Sequence, residues 1–282
     1  NKGPEIISSF IKEDTMDILK RNLAPITDQA WQEIDRQAKK VFLNQLTARH
    51  FIDVIGPKGW DYAGIGLGRL SVPENQREGD VRFGIHMVQP LVEIRTSFQL
   101  DLWELDNINR GAVDVDFTPL IDAAKQTALF EEKAIYHGFE PGDIDGILPV
   151  LEYEPLPFSH DPGEFLGTAI EATTILNDAS VEGPYALLIN PLLWADLAGI
   201  KSGYPLNKSI ENIVKATIIP VPILEDALLV SSRGRDFELI LGHDLSIGYE
   251  NHDDKYVNLF FTESFTFRVL DPSVFVRLIL GD

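Results

Sequence analysis

The chain contains no cysteine, which removes disulfide bonds, thiolate metal sites and cysteine nucleophiles together. Basic residues are scarce: 24 Lys plus Arg stand against 44 Asp plus Glu, a formal net charge of −20. A surface this acidic repels phosphate backbones, so no nucleic-acid partner is expected. No apolar run approaches the ~20 residues that a membrane-spanning helix needs, and no charged-then-apolar segment opens the chain. No membrane partner is expected either. The first residue is Asn1 rather than methionine, which leaves room for sequence upstream. Catalytic signatures are missing as well. There is no G-x-S-x-G turn, and the six histidines are scattered without an H-x-x-x-H or H-x-H pair. Neither an enzyme nor a bound metal or cofactor is expected, and no internal repeat or low-complexity tract occurs.

What is present is ample apolar material. Of 282 residues, 44% are hydrophobic and 24% charged, enough for one large domain or two closely joined ones. The organising stretch is 117–137, where Leu120, Ile121, Ala124, Ala128, Leu129 and Ile135 fall on one helical stripe. Asp116 stands ahead of it as a cap, Pro119 fits its first turn, and Gly138 closes it. Glu131 and Glu132 are adjacent, so their side chains diverge by about 100°. They read as solvated or interface charges rather than a catalytic pair.

Upstream, Ile6, Ile7, Phe10 and Ile11 predict a short amphipathic helix behind Pro4. Thr27 caps a longer helix whose apolar face is Trp31, Ile34, Ala38, Val41, Phe42 and Leu46. Residues 92–102 alternate strictly, with Val92, Ile94, Thr96, Phe98, Leu100 and Leu102 on one face. That pattern predicts one strand of a half-buried ribbon, marginal alone and in need of a partner such as another subunit. The later half alternates helices and strands. Asp161-Pro162-Gly163-Glu164 carries a helix start, and 227–269 finishes in strands.

Two partial motifs fail on inspection. Gly64-Ile65-Gly66-Leu67-Gly68 resembles a dinucleotide loop, but Arg69 occupies the position of the third glycine and strands follow. Asp143-Ile144-Asp145-Gly146 starts like a calcium loop and supplies no third acid at the right spacing.

A dense set of segments nevertheless runs through the chain in order. They are LKRNLAPIT at 19–27, WQEID at 31–35, FIDVIGPKGWDYA at 51–63, PLVEIR at 90–95 and FQLDLWELDNINRG at 98–111. They continue as VEGPYALLIN at 181–190, GYPL at 203–206, LEDALLVSSRG at 224–234, LILGHDLSIGYE at 241–250 and FTESFTFRVL at 261–270. From Met16 onward the sequence resembles the encapsulins, the linocin-like nanocompartment shell proteins of bacteria and archaea. The resemblance implies an α+β chain with the tailed-phage major capsid fold, assembling with many copies of itself into a closed icosahedral shell. It further implies a peripheral domain from 16–60, 102–147 and 223–270, an extended loop at 61–101 and an axial domain at 148–222. A C-terminal segment at 271–282 and an extension at 1–15, facing the shell interior, complete the division.

In that family a short cargo-loading peptide docks between the first long helix and a late strand. The matching positions are Arg49, Asp53, Asp244, Leu245 and Ile247, with Phe42 and Leu46 extending the apolar floor and the three charges expected to be exposed. The loop Gly199, Ile200, Lys201, Ser202, Gly203, Tyr204 and Pro205 is expected to line a five-fold pore. The implied cargo is a ferritin-like protein or a dye-decolourising peroxidase, with a cytoplasmic location and a role in iron storage or oxidative stress. A phage capsid protein is the alternative, disfavoured by the acidity; a peptidase is weaker still. No lysine lies between Lys58 and Lys125, so a lysine-mediated covalent link from the extended loop is not expected.

Overall fold

Thr27 opens the first long helix as the sequence predicts: its hydroxyl accepts from the Ala30 N–H at 3.3 Å. In the computed structural model, residues 18–74, 77–200 and 205–281 are described. The chain runs α1 (Asp28–Gln45), β1 (Asp53–Ile55), β2 (Gly64–Ser71), β3 (Arg77–Glu78), β4 (Val81–Arg82), β5 (Ile85–Pro90), β6 (Val92–Asp101), α2 (Leu102–Asn109) and α3 (Thr118–His137). It continues with β7 (Leu156–Phe158), α4 (Pro162–Asp178), β8 (Tyr185–Ile189), α5 (Pro191–Gly199), α6 (Leu206–Ser209), β9 (Ala216–Pro220), β10 (Ala227–Ser231), β11 (Phe237–His252), β12 (Tyr256–Val269) and β13 (Phe275–Leu280). The expected amphipathic stretch with Ile6, Ile7, Phe10 and Ile11 lies outside the described residues.

Two sheets carry the fold. One has four strands in the order β1-β11-β12-β6, the other five in the order β7-β13-β10-β8-β9. The 92–101 alternation is accounted for inside the chain. β6 pairs antiparallel with β12 along its whole length, from Val92 opposite Phe265 to Asp101 opposite Tyr256. Phe98 and Leu100 turn inward while Glu93, Arg95 and Gln99 face out. The free ribbon is therefore β2 with β5, Gly64 opposite Pro90 and Ser71 opposite Ile85, and not the strand at 92–101. The glycine cluster at 64–68 lies within β2, and the next described elements are strands.

β10 also departs from expectation. It pairs with β8 and β13 in the five-stranded sheet rather than with β11 and β12. The C-terminal residues form β13 in the same sheet, with Phe275, Val276 and Leu278 buried.

α3 ties the sheets together. Its first half packs Leu120, Ala124 and Ala128 into one core with Trp31, Ile34, Phe42, Phe98, Leu100, Val257 and Phe261. Its second half packs Ala134, Ile135 and Tyr136 into another with Phe165, Leu187, Leu229, Phe265 and Phe275. Asp116 Oδ1 accepts from the Thr118 N–H at 2.9 Å and Pro119 sits in the first turn. Gly138 ends the helix at φ 87°, where a Cβ would lie 2.4 Å from the Asp145 carbonyl oxygen. The stripe of α3 faces inward as read, but its edge differs: Leu129 is exposed, whereas Glu131 and Glu132 are buried.

Candidate functional site

The two cores meet at a polar seam, which takes in Arg49 and Asp244 of the expected site residues. From α3 come Thr127, Glu131 and Glu132; from β12, Thr262, Glu263 and Ser264; from β11, Asp244. Arg49 enters from the short turn after α1 and is 5% exposed. Its Nε donates to Glu131 Oε1 at 2.9 Å and its Nη1 to Asp244 Oδ1 at 2.9 Å, while Nη2 donates to Glu131 Oε2 and Glu263 Oε1. The planar guanidinium thus grips Glu131 by two bonds and spends its outer edge on two further acids. Burial works to discharge Arg49, but the carboxylates of Glu131, Glu263 and Asp244 overcome it and hold the guanidinium firmly protonated.

One cation and four acids meet here, and burial shifts two of the acids toward their protonated forms. Burial, reinforced by the Glu131 charge, raises the Glu263 carboxyl well above its usual range. Burial likewise pushes Glu132 up to about 8, although hydrogen bonds from the Thr47 hydroxyl and the Ala48 N–H, the latter at 3.0 Å, pull the other way. Glu132 is therefore largely protonated at neutral pH. Tyr136 lies 3.3 Å from the Thr47 hydroxyl, and burial beside Glu132 raises its phenol as well. Such a node needs every partner in place, because each charge left over in a dry seam is costly.

This arrangement corrects the expectation for Arg49, which is not an exposed rim charge: it is spent on the interior. Glu131 and Glu132 are likewise interior and not solvated. Asp244 remains partly open, with 15% of its side chain exposed. Asp53 sits apart, accepting from the Arg235 N–H where the chain turns through Gly234 at φ 85°. Phe42, Leu46, Leu245 and Ile247 do come together, but as one core with Phe261 beneath them. Phe42 meets Phe261 edge-on at 5.1 Å, and Phe98 stacks on Phe261 at 4.8 Å. Ile247 is 1% exposed, so a charge placed there tests the core and not a groove. Of the expected pore loop, Gly199 closes α5 and Pro205 precedes α6, while Lys201, Ser202, Gly203 and Tyr204 lie outside the described residues.

The sequence held signals for the residues it missed. Glu263 occupies an inward position of the alternation Leu259, Phe261, Glu263, Phe265, Phe267. Glu131 falls on the stripe Ala124, Ala128, Glu131, Ile135 at spacings of four, three and four. Thr47 and Tyr136 gave none, since their roles depend on contact across 89 residues. Beside the node, His243 stacks on Trp60 at 3.7 Å and shares a 2.7 Å hydrogen bond with Ser246. Burial lowers its pKa against the opposing pull of Asp244 and Glu93, so it is neutral at physiological pH. Among the described residues no group of three or more His, Cys, Asp or Glu is placed to hold a metal ion.

Comparison with known proteins places this architecture. In solved structures, the chain superimposes on the virus-like particle protein from Pyrococcus furiosus with a TM-score of 0.61 at 17% identity, covering 90% of this chain and 98% of that one. It also matches the capsid protein of Myoviridae phage XM1 with a TM-score of 0.54 at 13% identity, over 84% and 92% of the two chains. The fold is thus the α+β fold of tailed-phage capsid proteins. A type 1 encapsulin shell protein of Rhodospirillum rubrum is 38% identical over 93% of this chain and 96% of its own length. One from Mycobacterium tuberculosis is 33% identical over 89% and 95%. Residues 16–266 match the family model described as encapsulating protein for peroxidase, and the chain belongs to this family, that of the type 1 encapsulin shell proteins.

Proposed function

We propose that this chain is the subunit of a closed icosahedral shell that encloses a cargo enzyme in the cytoplasm. The observation that carries the reading is the ribbon of β2 and β5. Two strands alone have no core to bury against, yet Leu70, Val72, Ile85, Met87 and Val88 on it are all exposed, with Val81 and Phe83 at its tip. Val81 is 66% and Val88 62% exposed. An apolar arm of this kind is a contact surface waiting for neighbouring copies of the chain. Family membership and the capsid fold point to the same assembly.

The cargo is a dye-decolourising peroxidase or a ferritin-like protein, which would give the particle its part in oxidative stress or iron storage. The family model's description supports the first. A cargo peptide docks beside α1 along β11, with Asp244 and Asp53 as polar markers and Phe42, Leu46, Leu245 and Ile247 as the rigid floor beneath; Arg49 holds that floor in place from inside. The loop 199–205 lines the pore at a five-fold axis. The test is direct. Purified full-length chain is imaged by electron microscopy and sized by light scattering at neutral pH, with mass spectrometry of what co-purifies. Hollow closed particles containing one of these enzymes are expected; a monomeric mass would overturn the assembly.

A further inference from the structure

The ribbon of β2 and β5 leaves the body through a narrow root. The outgoing chain is tied by the Lys58 N–H on the Leu241 carbonyl at 2.9 Å and the Gly59 N–H on the Gly242 carbonyl at 2.8 Å. The returning chain is tied by Gln89, whose buried amide nitrogen donates to the Asp143 carbonyl at 2.8 Å and the Phe267 carbonyl at 2.9 Å. The two are joined where the Leu91 N–H meets the Ala63 carbonyl at 3.0 Å. Gly242 permits this junction: a Cβ there would lie 2.8 Å from Leu91 Cδ2 and 3.2 Å from the Tyr62 carbonyl oxygen.

Past Gly59 the outgoing chain is held against β11 by an aromatic pair. The Trp60 indole stacks on the His243 imidazole with centroids 3.7 Å apart and planes 20° from parallel, both residues half-buried. The imidazole is itself fixed. Its Nε2 lies 2.7 Å from Ser246 Oγ, and that hydroxyl donates its own hydrogen to the Asp244 carbonyl at 2.9 Å. Ser246 Oγ therefore accepts from His243, so the neutral ring carries its hydrogen on Nε2 and an added proton goes to Nδ1. The His243 N–H donates to Ser264 Oγ at 2.8 Å, which anchors the residue to β12.

A charge on this ring finds little to balance it. Asp244, beside it on β11, already accepts from Arg49 and from the Leu245 N–H, each at 2.9 Å. Glu93 on β6, opposite Ser264, is bonded to Arg95 at 3.3 Å. In the turn, Lys58 and Asp61 put one charge of each sign on either side of Trp60. Burial accordingly outweighs both acids and lowers the pKa of His243. A group lowered from its ordinary 6.5 in this way gives stability that is complete above that value and is lost as the pH falls through the folded one.

We propose that the Trp60–His243 stack is an acid-released latch, which sets the direction in which the ribbon leaves the body until a proton on His243 frees it. Gln89 keeps the returning chain attached throughout, so the ribbon swings without detaching. The consequence for assembly rests on the shell reading above. A ribbon free to swing no longer presents the exposed Val81, Ile85 and Val88 to neighbouring copies in one fixed place, so mild acid opens the particle.

The experiment uses the full chain at about pH 7.5 and about pH 5, which bracket an ordinary histidine. Amide hydrogen exchange, divided by the intrinsic rate at each pH, is read at Gly59, Tyr62 and Leu91, all hydrogen-bonded at the root. In the parent these amides are expected to exchange about tenfold faster or more at the lower pH, with those of β12 unchanged. His243→Phe keeps a ring against Trp60 and takes no proton, so its root should exchange alike at both. The same acid step in His243→Phe overturns the proposal and would assign the step to another group, such as His86 on β5. Absence of the step in the parent overturns it too. Should His243→Phe not fold, Trp60→Leu removes the other half of the stack and is expected to exchange fast at both pH values. Exchange in Trp60→Leu as slow as in the parent at about pH 7.5 overturns the latch. Light scattering on the same samples follows assembly separately. Parent particles should be lost across the step and those of His243→Phe kept; parent particles that stay closed overturn the consequence for assembly. A chain that is monomeric at every pH refutes the shell, while the exchange step still decides the latch.

Discussion

The guanidinium of Arg49 and the carboxylate of Glu131 form a two-bond pair in which the side chains are 3% and 0% exposed. It lies where the core of the four-stranded sheet meets the core of the five-stranded one. A surface pair of the same geometry would contribute about 0–1 kcal/mol. A buried pair behaves differently, because removing one partner strands the other in a dry interior.

Arg49→Ala is therefore expected to destabilise the subunit by about 3–5 kcal/mol, far more than a rim charge would. Glu131, Asp244 and Glu263 would all lose their cation at once. Denaturant unfolding of the variant checks this. A loss of less than about 1 kcal/mol would place Arg49 at the surface after all.

Glu132 gives the node a pH dependence of defined sign. Its carboxyl titrates near the ordinary 4.5 when unfolded and at about 8 when folded, so the folded chain binds the extra proton. Its stabilising contribution is complete below about pH 4.5 and is lost as the pH rises to about 8. The loss is on the order of 5 kcal/mol across the window, at roughly 1.4 kcal/mol per unit. Glu132→Gln mimics the protonated form. The variant should melt higher than the parent at pH 8.5 and close to it at pH 5, as thermal unfolding across that range would show. Parallel melting curves for the two proteins would contradict the assignment.

The turn after α3 offers a backbone test. At Gly138, φ is 87° and a Cβ would approach the Asp145 carbonyl oxygen to 2.4 Å. Gly138→Ala should cost more than about 1 kcal/mol. Gly167, inside α4, has nothing within 4 Å of the same position, and Gly167→Ala should stabilise by about 0.5–1 kcal/mol. Opposite signs for these two substitutions in unfolding experiments are the expected outcome.

The ribbon separates folding from assembly. Val81 and Ile85 are exposed and contribute to neither core. Val81→Asp with Ile85→Asp should leave far-UV circular dichroism and melting of the subunit core unchanged while abolishing closed particles in electron micrographs. Normal particles from this variant would remove the ribbon from the contact.

The sequence by itself determined the local starts, stops and periods. Thr27, Asp116 and Asp161 accept N–H bonds at the helix starts where their position announced it, because a cap depends only on residues two or three places away. The alternation at 92–101 marked which side chains share a face, and the ordered motifs marked the family. Tertiary structure alone decided what each face meets. Leu129 looked inward by composition and Glu131 outward, yet Leu129 is exposed and Glu131 buried, where Arg49 from 82 residues upstream makes a buried acid tolerable. β6 looked like half of a free ribbon until β12 closed on it, and β10 looked like a companion of β11 until β8 and β13 took it. Periodicity fixes a residue's angle about its own helix or strand; the partner that makes that angle favourable comes from a distant part of the chain, and no local spacing encodes it.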